Sequence, residues 1–243
     1  MTYVTTYASS KGGVGKTTLL EATTTELRLR GQTCLLLDAD PNRHLSEWSK
    51  LRGDDGVKVI DGLDESNIRQ SVKENAADYD HVLIDLAGFG TMTMVYAFAV
   101  SDLVVIPSLR SRMDVKETIR TYRNVIDSMA EMRHQPATRV VLTRGKQAIR
   151  SRVSKHAETQ LLDRELPMLR CELMDWALLE EMTYSGKGPC ETQPDSNAAG
   201  NVRAVTDAII EVLENVVPNP AVPRKSGDEA KGAKVRSIRR ASA

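Results

Sequence analysis

Cysteine, net charge and long apolar runs are all scarce in this chain of 243 residues, and each scarcity removes a class of protein. The three cysteines, Cys34, Cys171 and Cys190, are widely spaced and odd in number, with no CxxC pair. Neither a disulfide framework nor a zinc site is suggested, and a reducing, cytoplasmic setting is expected. No apolar run approaches membrane-spanning length, and residues 1–20 carry a polar glycine-rich stretch where a signal peptide needs its apolar segment. Thirty-three basic residues balance 33 acidic ones. A global charge argument for a nucleic-acid or acidic partner is thereby lost, and partner choice has to be read segment by segment. His44, His81 and His134 lack metal-ligand spacing. There is no internal repeat and no heptad array.

What is present alternates. Short β-prone runs at Tyr3–Tyr7, Thr33–Leu37, Val57–Ile60, His81–Leu86, Leu103–Pro107 and Arg139–Thr143 are separated by segments of helical period. This order predicts an α/β fold, with a mostly parallel central sheet flanked by helices. Val115, Ile119, Tyr122, Ile126 and Met129 form one apolar stripe behind Asp114 as N-cap, and Val202, Val205, Ile209, Val212 and Val216 form another. After Val217 the composition turns to proline, then to lysine, arginine, serine and glycine. A domain over 1–217 and a basic, disordered tail over 218–243 are expected. The tail has too few large apolar residues for a strong membrane anchor.

The first strand runs into Lys11-Gly12-Gly13-Val14-Gly15-Lys16-Thr17-Thr18 and then a helix that Gly31 closes. Strand, glycine-rich turn and helix together aim backbone N–H groups and a helix dipole at phosphate oxygens. Lys16 is placed to reach the β- and γ-phosphates of ATP, and the Thr17 hydroxyl to ligate Mg²⁺. Two further apolar strands end in carboxylates, Leu35-Leu36-Leu37-Asp38-Ala39-Asp40 and Val82-Leu83-Ile84-Asp85. Ligands of parallel α/β sheets gather beyond the carboxyl ends of strands, so these aspartates converge on the loop. Asp85 is the candidate for holding Mg²⁺ directly or through water.

The loop departs from GxxxxGK[ST], because Ser10 takes the first glycine position and an extra lysine stands at Lys11. That form resembles the deviant Walker A motif of the ParA/MinD family of P-loop ATPases. The resemblance runs from Tyr3 to about Val217, through KGGVGKTT, LLLDADPN and VLIDLAG. Residues 102–107 with the following helix are similar to small plasmid-partition ParA proteins and to VirC1, a ParA relative in DNA transfer. The resemblance implies an ATP-dependent homodimer in which Lys11 reaches across to the partner subunit's phosphates, so that Lys11, Lys16 and Asp40 are the catalytic residues. It places Asp38 nearer the metal and Asp40 by the attacking water, although both lie on one strand end and the residues alone do not separate the two roles. Gly88 resembles the γ-phosphate-sensing switch glycine, and Thr143 with Arg144 the strand end near the adenine.

The implied function is plasmid or chromosome partition by ATP-driven, non-specific DNA binding. A ParB-like or other small adaptor stimulates hydrolysis, and the protein is nucleoid-associated. The alternatives are VirC1-like DNA transfer, positioning of a protein cargo, and a metabolic enzyme on the same loop. Arg150, Arg152 and Lys155 flank the apolar face of a helix and are the candidate DNA contacts. A solvated helix surface explains them equally well. The lysines and arginines of the tail fit a further DNA surface or a plain solubilising segment.

Overall fold

The computed structural model describes residues 1–225 apart from 54, 89–90, 131, 133 and 147–151, and apart from the side chains of 152–154. The elements run β1 (Tyr3–Tyr7), α1 (Lys16–Leu29), β2 (Cys34–Ala39), α2 (His44–Arg52), β3 (Val57–Ile60), α3 (Ile68–Asn75), β4 (His81–Leu86), α4 (Met92–Val100), β5 (Leu103–Ser108), α5 (Arg112–Met129), β6 (Ala137–Leu142), α6 (Arg152–Leu162), α7 (Ala177–Ser185), α8 (Pro189–Thr192) and α9 (Asn197–Glu214). The six strands pair in parallel in the order β3-β2-β4-β1-β5-β6. β1 therefore lies between β4 and β5; the chain leaves it for β2 and β3 on one side and, after returning to β4, crosses it to β5 and β6 on the other. That reversal opens a crevice at the carboxyl ends of the strands, where the glycine-rich loop begins.

Both faces of the sheet are covered, which explains strands that are apolar along their whole length. One core layer packs Val4, Leu35, Ile84 and Val104 against Ile68, Phe98, Val125 and Leu161 of α3 to α6. The other packs Tyr7, Leu36, Leu83 and Val105 against Leu20, Trp48, Met182 and Ile209 of α1, α2, α7 and α9. Gly31, at φ 77°, ends α1: its N–H donates to Arg28 O and that of Gln32 to Leu27 O, so two terminal carbonyls are satisfied. Among the described residues, no helix is long and apolar enough to cross a membrane.

Three local expectations are corrected. The N-cap of α5 is Ser111 rather than Asp114, because Asp114 sits at the third helical position and completes a capping box with Ser111. The buried stripe of that helix passes through Val115, Thr118, Thr121, Val125 and Met129, leaving Ile126 41% exposed. Packing also continues past Val217. Val222 is buried, the Asn219 N–H donates to Asp102 Oδ1 (2.6 Å), and Arg224 pairs with the same carboxylate (2.8 Å). Lys225 adds an ion pair to Asp80 (3.1 Å). This strap lies along the amino ends of β1, β2, β4 and β5. The remainder of the expected tail, 226–243, lies outside the described residues.

Candidate functional site

Residues 9–18 wrap the mouth of the crevice. Gly13 (φ 74°) and Gly15 (φ 86°) take left-handed conformations that a side chain would strain, and they turn successive N–H groups toward one concavity. α1 starts immediately afterwards with no side-chain cap and no acidic residue in its first turn. Its terminal N–H groups and dipole are left to face whatever anion enters. The cleft has a volume of 320 Å³ and is lined by Ser9, Lys11 to Thr18, Asp40, Asn42, His44, Gly88 and Arg144. Lys11, Gly12, Gly13, Val14, Gly15, Lys16, Thr17, Thr18, Asp40, Gly88 and Arg144 are the residues that the sequence points to. Ser9, Asn42 and His44 are additions that only the fold reveals.

At the floor of the cleft, Lys16 Nζ donates to Asp85 Oδ1 (2.8 Å) and Thr17 Oγ1 donates to Asp85 Oδ2 (2.6 Å). Burial pushes the Asp85 carboxyl above its ordinary range, while Lys16 and Thr17 pull it down. Asp40 stands on the rim with Oδ2 4.0 Å from Lys16 Nζ, and its Oδ1 accepts from the Asn42 N–H (2.9 Å). Asp38 is 1% exposed and differently engaged. Its Oδ2 accepts from the Ser46 N–H and hydroxyl (both 2.9 Å) and its Oδ1 from the Asp40 N–H (3.1 Å), so it fastens the start of α2. The register pairs Asp38 with Asp85 on adjacent strands. A hydroxyl and carboxylates are hard oxygen donors, the set that suits Mg²⁺, beside a loop that suits phosphates.

The two features that distinguish the loop both point to α5. Lys11 Nζ donates to Asp114 Oδ1. Partial burial opposes ionisation of that carboxyl, yet hydrogen bonds from Lys11 and Ser111 hold it below the usual carboxylate range. The Ser10 N–H donates to Thr121 Oγ1 (3.2 Å), and Ser10 Oγ to Glu117 Oε2 (3.1 Å). Sequence alone gives no signal for Asp114 and Glu117 as loop partners, since they lie more than a hundred residues away.

Thr143 is not on the cleft surface but beneath it: it is 1% exposed, and its Oγ1 donates to Val14 O (2.7 Å). It shapes the loop instead of lining it. Arg144, at φ 52°, leads off from the end of β6 into the rim. Of the expected DNA contacts, Arg150 and the Arg152 side chain lie outside the described residues, and Lys155 is exposed on α6.

Comparison with known proteins agrees with this geometry. A family model described as VirC1 protein matches residues 1–215. ParA of Rhizobium radiobacter is 28% identical over 183 residues, covering 75% of this chain and 80% of ParA. Protein virC1 of Rhizobium rhizogenes is 33% identical over 128 residues, 50% of this chain and 55% of virC1. The alignment thus spans about half the length of virC1. Among solved structures, the septum site-determining protein MinD of Pyrococcus horikoshii, complexed with Mg-ADP, superposes with a TM-score of 0.68 at 18% identity. That superposition covers 86% of this chain and 96% of MinD, and at such identity it speaks for the fold.

Proposed function

Because the chain belongs to the VirC1 family of ParA/MinD-type P-loop ATPases, we propose that it is an ATP-driven switch that positions DNA. ATP binding closes a homodimer, the dimer holds DNA without sequence preference, and hydrolysis stimulated by a ParB-like or other small adaptor releases it. One observation carries this reading. The loop's two lysines have separate stations, Lys16 on the Asp85–Thr17 cluster and Lys11 outside it on Asp114.

Lys16 grips the phosphates and the loop N–H groups orient them. Thr17 and Asp85 would hold Mg²⁺, with Asp38 behind them; the ion would neutralise charge on the transferring phosphoryl group. Asp40 orients the attacking water. Support for that assignment over Asp38 is that both Asp38 oxygens already accept hydrogen bonds from Ser46 and the Asp40 N–H. Lys11, at 45% side-chain exposure, is free to exchange Asp114 for a phosphate in the partner subunit, acting as a cation delivered in trans. Gly88 and Arg144 complete the nucleotide site, and Thr143 supports it from beneath by holding Val14 O. Arg150, Arg152 and Lys155 contribute to DNA contact, and the protein works in the cytoplasm on the nucleoid.

Plasmid or chromosome partition is the cargo assignment suggested by the ParA relative. The VirC1 family match favours a second one, movement of DNA in transfer between cells.

Lys16→Ala is expected to weaken ATP binding at least tenfold by equilibrium fluorescence. Lys11→Ala should bind ATP normally, stay monomeric by light scattering with ATP present, and lose ATP-dependent retention on duplex DNA. Equal loss of nucleotide binding in both variants would refute the division of labour.

A further inference from the structure

The helix α5 has two working faces. The inner one takes the hydrogen bonds of Ser10 and the ion pair of Lys11, so it is joined directly to the phosphate loop. The outer one presents Arg112, Lys116, Arg120 and Arg123, all exposed, at intervals of four, four and three residues. At a rise of 1.5 Å per residue these cations recur about every 5 to 6 Å over roughly 16 Å. Arg164, just beyond α6, forms the opposite wall of a groove of 660 Å³, and Asp127 is the one carboxylate among the described residues that line it.

A plain solvated helix interleaves opposite charges at these spacings. Here Glu117 lies 3.7 Å from Arg120, while Arg112, Lys116 and Arg123 make no ion pair among the described residues. A binding site for one small anion needs donors converging on a point. This groove sets them in a line, which matches a line of negative charge.

We propose that the groove between α5 and α6 is a docking track for the phosphate backbone of duplex DNA. The proposal rests on the DNA-binding reading above and adds to it a surface distinct from Arg150, Arg152 and Lys155. Glu117 is the link: it accepts from Ser10 in the loop and faces Arg120 in the groove. Rearrangement of Ser10 and Lys11 around bound nucleotide thus acts on the helix that carries the track.

The test uses the full chain with ATP, a fluorescent duplex of arbitrary sequence, and anisotropy measured between 50 and 200 mM salt. Lys116→Ala/Arg120→Ala/Arg123→Ala is expected to raise Kd at least tenfold and to lower the slope of log K against log salt by roughly 2 to 3, each lost phosphate contact counting about 0.9. Lys116→Glu/Arg120→Glu should abolish retention. Unchanged binding of a fluorescent ATP analogue certifies the fold of both variants. If the unaltered protein binds duplex and both variants bind it equally well, the track is overturned and the DNA reading stands. If the unaltered protein with ATP fails to bind any duplex, the DNA reading itself falls. Retention on poly-glutamate with none on duplex would replace the track with a surface for an acidic protein.

Discussion

Glu21 lies on the buried side of α1, 4% exposed, one turn beyond the residues that face the cleft. Burial, and then the charges of Asp85 and Asp38, push its carboxyl from 4.5 up to about 8. The folded chain therefore keeps this proton across a range in which the unfolded chain releases it. The stability linked to it is fully present below about pH 4.5 and is lost as pH rises toward 8. Glu21→Gln keeps the shape without the titration. It is expected to match the unaltered protein near pH 4 and to exceed it at pH 7 by on the order of 3 kcal/mol in urea unfolding. Parallel stability curves for the two proteins from pH 5 to 8 would count against a buried proton. Such residues are illegible in sequence, because Glu21 sits in a helix where an acid is ordinary. Lys16 and Thr17 were legible for the opposite reason: the chemistry of gripping a phosphate fixes residue types at adjacent positions. The contacts of Ser10 and Lys11 fall between these cases, since the residues stand out in the sequence while Glu117 and Asp114 are supplied by the fold.

The start of α5 shows how an element serves the site. Ser111 Oγ accepts from the Asp114 N–H (3.2 Å), and Asp114 Oδ2 accepts from the Ser111 N–H (3.1 Å), leaving Oδ1 for Lys11. The cap and the lysine station are thus built on one carboxylate. Ser111→Ala should cost about 1 kcal/mol, seen as a fall in Tm of roughly 2–4 °C for a protein of this size, with the Lys11 contact preserved. Reading Asp114 as the cap itself erred by three residues, because Ser and Asp both satisfy free N–H groups at helix starts and either satisfies the pattern. The exposed Ile126 has a similar origin. Apolar spacing alone does not register that the buried face here includes Thr118 and Thr121, which hydrogen-bond Ser108 and Ser10. Strand positions were legible to within about two residues, since burial on both faces leaves continuous apolar runs.

Across the whole molecule, the strap from Asn219 to Lys225 covers the amino-terminal end of the sheet, remote from the cleft. Asp102, fully buried, accepts from the Val4 N–H (2.8 Å), the Asn219 N–H and the Arg224 guanidinium. Arg224→Ala would leave that carboxylate without its counter-charge and should cost about 3 kcal/mol, read as a lower urea midpoint. Composition hid this segment, because its hold is polar: Val222 is its one buried hydrocarbon side chain, and a shift to proline and lysine looks like the end of a domain. The same strap decides which way the molecule faces when it is anchored. A linker or dye attached after Lys225 starts beside the amino ends of the strands, with the length of the strands between it and the phosphate loop. Molecules tethered to a bead by that end present their nucleotide face to the solution, so their encounters can be watched one at a time without the tether entering the cleft.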